Sequence, residues 1–62
     1  MQVYKLTFKH WKTGDLIEKR VVGVGFPVQG TRNVFYSLDD DTYIDVIRDT
    51  IVSLENTEDV LD

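Results

Sequence analysis

The chain has 62 residues, of which 42% are hydrophobic and 29% charged, the composition of one small globular domain. It has no cysteine and His10 is its one histidine, which excludes disulfide staples and argues against a structural zinc site; so short a chain must then rely on a well-made apolar core, on oligomerisation or on a partner. The net charge of −4 is unevenly spread: residues 1–36 hold six Lys/Arg against two Asp/Glu, a balance of +4, and residues 37–62 hold one against nine, a balance of −8.

Residues 2–11 alternate, with Tyr4, Leu6 and Phe8 on one face and Lys5, Thr7 and Lys9 on the other, which predicts a half-buried strand. Gly14 supplies the positive φ of a tight hairpin turn, and Leu16 to Val24 forms the return strand. With Thr13 and Gly14 as the two turn residues, Lys12 pairs with Asp15, and Tyr4, Leu6, Phe8 and His10 lie opposite Gly23, Val21, Lys19 and Ile17. A three-residue loop would set Arg20 beside Leu6, so the first register gives the better apolar face. Gly25 to Thr31, with Pro27 inside it, reads as a loop, and Arg32 to Ser37 as a third strand with Val34 and Tyr36 on one side and Phe35 on the other.

The spacing after Ser37 predicts a helix. Asp39 is placed as N-cap, Leu38 and Tyr43 as a hydrophobic staple, and Asp40 and Asp41 at the positive end of the dipole. Ile44, Ile47, Ile51 and Leu54 recur at i, i+3, i+7 and i+10 and draw one apolar stripe, widened by Tyr43 and Val46. The fold expected is therefore α+β: a three-stranded antiparallel sheet with one C-terminal amphipathic helix on a face, a β-β-β-α domain over residues 1–55, then an acidic tail over 56–62.

No catalytic set is visible. His10 lacks an evident nucleophile and orienting carboxylate, and Asp39, Asp40 and Asp41 lack the spacing of a calcium loop. Gly23-Val24-Gly25 opens like a dinucleotide fingerprint, but the next glycine is Gly30 and no βαβ unit fits. The expectation is a non-enzymatic protein with no cofactor and no metal, acting on another protein as a regulator or inhibitor. Short acidic chains without a catalytic set are common among phage and mobile-element accessory proteins, an association of composition alone. An acidic helix bearing Asp39, Asp40, Asp41, Asp45 and Asp49 would engage a basic groove of a nucleic-acid-handling partner, with Trp11, Phe26 and Phe35 as apolar anchors. The alternative is a nucleic-acid-binding module that uses Lys5, Lys9, Trp11 and Arg20 on the sheet face left open by the helix. That same face, with Val3, Trp11, Leu16, Val22 and Val24, suggests a homodimer. Apolar runs are no longer than two or three residues and no basic stretch leads into one, so no membrane association is expected, and the absence of cysteine fits the cytoplasm.

Overall fold

The computed structural model describes residues 1–23 and 32–61. Five strands make one antiparallel sheet: β1 (Gln2–Lys9), β2 (Leu16–Gly23), β3 (Arg32–Ser37), β4 (Thr42–Ile47) and β5 (Ile51–Val60), in the spatial order β4-β3-β2-β1-β5. A single 3-10 turn, Arg48–Thr50, joins β4 to β5. These two strands lie at opposite edges of the sheet. In a flat sheet the edges would stand about 19 Å apart, whereas the segment from Ile47 to Ile51 reaches about 15 Å even when fully stretched. The sheet must therefore curl so that its edges approach, and Val46 of β4 packs in one cluster with Leu6 of β1, Val21 of β2 and Phe35 of β3. Tyr4, Phe8, Ile44 and Ile51 pack around that cluster. Gly23 lies opposite Phe35, so the glycine leaves space on this face for the ring.

The helix expected from Asp39 onward is absent; its residues form β4, the 3-10 turn and the first part of β5. The three-stranded sheet with a covering helix is thus replaced by a five-stranded sheet that covers itself. Two irregularities in the strand pattern produced the helical spacing. Ile44 and Val46 share the core face of β4, and Ile47 lies on the other face just before the 3-10 turn. A β-bulge sets Leu54 opposite Leu6 and Ile51 opposite Phe8, so that three steps on β5 match two on β1 and both residues meet the same face of β1. Residue preference favours this outcome. Thr42, Ile44, Val46, Ile47, Thr50, Ile51 and Val52 are β-branched, good strand formers and indifferent helix formers.

The strand period separates two neighbours sharply. Val46 is 3% exposed and Ile47 40% exposed. Val46→Asp is expected to abolish the folded state, because an unpaired carboxylate would enter the core. Ile47→Asp, which on a helical stripe would have been equally damaging, should leave the chain folded, at a cost of about 1 kcal/mol for lost apolar contact. Circular dichroism of the two variants checks this pair; equal damage from both would contradict the strand assignment.

The hairpin joining β1 to β2 forms where expected, but its register is displaced. Lys9 lies opposite Leu16, Leu6 opposite Lys19 and Tyr4 opposite Val21. The expected register is off by two positions, and an even shift keeps every side chain on its face. The cause is a longer loop. His10 N–H donates to Asp15 O (2.8 Å) and Gly14 N–H to His10 O (2.9 Å), leaving Trp11, Lys12, Thr13 and Gly14 between the paired ends. Gly14 has φ +77° and open space where a Cβ would stand, so Gly14→Val should cost about 1–2 kcal/mol through backbone strain alone, readable as a shift in the urea midpoint.

Candidate functional site

The end of β1, the hairpin loop, the end of β4 and the 3-10 turn enclose a groove of about 430 Å³. Phe8, Val46 and Ile47 supply its apolar surface, His10 and Trp11 its aromatic wall, and Lys9, Asp45 and Thr50 its polar groups. The Thr50 hydroxyl donates to Ile47 O (2.6 Å), which ties the 3-10 turn to the last residue of β4.

The aromatic wall is held by the loop's own hydrogen bonds. His10 Nδ1 accepts from the backbone N–H groups of Lys12 (3.1 Å) and Thr13 (3.3 Å). The Thr13 hydroxyl donates to Asp15 Oδ2 (3.0 Å) and accepts from Asp15 N–H (3.3 Å), closing the loop further. Trp11 stacks on the His10 ring at 6.0 Å between centroids and 19° between planes, while 73% of its surface stays exposed. A large aromatic side chain is thus presented to solvent in a set orientation.

Of the acidic residues expected to form one binding face, Asp39, Asp40 and Asp41 lie in the turn between β3 and β4 instead of on a helix, and are engaged there. Asp39 Oδ2 accepts from Arg20 N–H (3.0 Å). Asp40 accepts from the Lys19 ammonium (salt bridge 2.9 Å) and from the buried Ser37 hydroxyl (2.8 Å). Asp41, at φ +53°, accepts from the Tyr36 hydroxyl, a contact that raises the phenol's pKa. Asp45 lies at the groove and Asp49 is exposed in the 3-10 turn. Phe35 is 1% exposed in the core and cannot serve as an anchor; Phe26 lies outside the described residues. Among the described residues, Trp11 is the one expected anchor that the groove contains.

The basic face expected for nucleic acid is largely neutralised by β5. Lys5 pairs with Glu55 (3.6 Å) and Arg20 with Asp59 (3.8 Å), while Lys9 and Trp11 belong to the groove. Charges segregated along the chain are interleaved in space, because acidic β5 lies directly beside basic β1. The open apolar face expected for a dimer is likewise broken up. Val3 and Val22 are buried, Trp11 and Leu16 are exposed, and Val24 lies outside the described residues. The groove residues Phe8 and Ile47 read in the sequence as core positions and Thr50 as nothing in particular, since nothing local shows that positions 8–11 and 45–50 meet.

The Lys19 ammonium, and after it the Ser37 hydroxyl, hold the Asp40 carboxyl below the usual carboxylate range. A depressed carboxyl contributes stability that is present above the unfolded aspartate pKa of about 4 and is lost as pH falls through the folded value. Acidification below about pH 4 should therefore lower the urea midpoint, and Lys19→Met should make this decline shallower. Identical acid dependence in the two chains would remove Asp40 as its source.

No helix among the described residues is long and apolar enough to cross a membrane, and no cluster of three His, Cys, Asp or Glu side chains fit to hold a metal occurs among them. No protein-family model, curated protein or solved structure matches the chain.

Proposed function

We propose that this chain is a non-catalytic protein-binding domain, a regulator or inhibitor that grips its partner through the groove beside Trp11. The observation that supports this reading is a tryptophan 73% exposed yet stacked on a hydrogen-bonded histidine. An aromatic side chain already held in place loses little further freedom on binding, and tryptophans of this kind dominate the energetics of protein interfaces. The version in which an acidic helix occupies a basic groove falls with the helix. Protein is favoured over nucleic acid because Lys5 and Arg20 are each paired to a carboxylate, which weakens the phosphate-contacting surface.

Affinity capture from cell lysate tests the reading, with wild type and Trp11→Ala immobilised side by side and with nuclease added to half of each. The expected result is a set of proteins retained by wild type, lost with Trp11→Ala and unaffected by nuclease. Retention that disappears with nuclease would favour nucleic acid, and retention indifferent to Trp11→Ala would move the site away from the groove.

A further inference from the structure

We propose that His10 is a pH-sensitive latch on the hairpin loop: the neutral ring fixes the loop backbone and the Trp11 stacked on it, and the protonated ring releases them, so that the groove grips its partner near neutral pH and lets go in mildly acidic solution. The control of binding rests on the reading of the groove as a protein-binding site; the loop transition itself does not.

The His10 ring stands half-buried in the wall of the groove. Its Nδ1 accepts from the backbone N–H groups of Lys12 (3.1 Å) and Thr13 (3.3 Å), and the Trp11 indole lies on it at 6.0 Å between centroids. Two N–H groups thus converge on one lone pair. An imidazolium carries a proton on each ring nitrogen and accepts from neither, so no rotation of the ring restores the acceptor. Protonation sets a third N–H and a positive charge against the positive ends of two backbone dipoles, and the contact opens. The indole follows the ring, because an imidazolium still stacks on an aromatic face. What is lost is the tie between this pair and the loop backbone, and with it the set orientation of Trp11.

The neck of the loop does not depend on the ring. His10 N–H to Asp15 O and Gly14 N–H to His10 O are backbone bonds, and the Thr13 hydroxyl bonds to the Asp15 carboxylate. The opening is therefore confined to Trp11, Lys12 and Thr13, and the sheet stays folded. Lys9 and Lys12 flank His10 along the chain, and Asp15 is its backbone partner across the neck. Asp45 lines the groove from β4, where it is itself engaged, and the 3-10 turn contributes the neutral Thr50. Carboxylates and ammonium groups ordinarily keep their charge between about pH 5 and 7.5, whereas imidazole changes its own there. With one histidine and no cysteine in the chain, His10 is the side chain suited to work the latch.

Two readings of the whole chain at about pH 7.5 and about pH 5 test it. The temperature coefficients of the Lys12 and Thr13 amide resonances should be small at the higher pH and rise to solvent-exposed values at the lower, a change that a nearby charge alone does not produce. The fluorescence anisotropy of Trp11, the one tryptophan, should fall over the same step. His10→Asn, whose Oδ1 takes the place of Nδ1 and does not titrate, should hold both readings level across the two pH values. His10→Phe, a ring without an acceptor, should give the acidic readings at both. Level readings in wild type, or a step that survives in His10→Asn, would overturn the latch. Proteins retained from lysate near pH 7.5 and lost with Trp11→Ala should elute from wild type with the midpoint of the loop step. Retention through that step, or elution at another midpoint, would overturn the control of binding by His10. Retention indifferent to Trp11→Ala would overturn the groove reading instead, and the loop transition is then judged by the two spectroscopic readings alone.

Discussion

Replacing Phe35 with alanine is expected to leave most of the chain unfolded in buffer at room temperature. The ring is 1% exposed and is the largest side chain in a cluster whose other buried members are Leu6, Val21 and Val46. Truncating a buried phenylalanine costs about 3–5 kcal/mol in lost transfer energy and in the cavity left behind. A domain of this length holds only about 3–9 kcal/mol in total. Collapse around the void is hindered, because Gly23 opposite the ring has no side chain to move into it. A urea titration followed by circular dichroism should show wild type with a folded baseline and Phe35→Ala with little or none. A variant that keeps the wild-type midpoint would mean the core lies elsewhere.

Trp11→Ala should behave in the opposite way. The side chain lies mostly in water and its lost stacking on His10 concerns the loop alone, so the urea midpoint should hardly move. Affinity for the partner should fall about 30-fold or more, corresponding to the ~2 kcal/mol typical of a central interface tryptophan. The decline should come mainly through faster dissociation, as most interface truncations do. Surface plasmon resonance with the captured partner, paired with the urea titration, separates the two effects. Equal loss of stability and affinity would reduce Trp11 to a structural residue.

The contrast between these two aromatics shows what the chain's pattern reveals and where it stops. Alternation in β1 and β2 set Tyr4, Leu6 and Phe8 on the core face with Val21, and a register displaced by two positions did not disturb that face. The parity of β3 was legible too, with Phe35 opposed to Val34 and Tyr36. Which parity points inward was not, because it depends on pairing with β2 and β4. Beyond Ser37 the periodicity was misleading. A 3-10 turn and a bulge each interrupt alternation, and together they space Ile44, Ile51 and Leu54 as a helix would. The β-branched composition argued the other way and prevailed. Trp11 was legible as an aromatic off the core face, although the alternation set it on an open strand face and the structure sets it in the hairpin loop. The rest of the groove was not, since it exists only where residues near the start of the chain meet residues some forty positions later.

Strand order also governs when the protein can form. β1 lies between β2 and β5, and its pairing with β5 joins Gln2 to Val60. A contact so distant along the chain carries a large loop-closure entropy, so folding should belong to the slow, nonlocal end of the range for small domains. During synthesis the β1–β2 hairpin can assemble early, yet β1 keeps an unpaired edge until the last strand has cleared the ribosome. For that interval the nascent chain is both incomplete and adhesive, which makes the time spent translating β3 to β5 a window in which chaperones compete with misassembly.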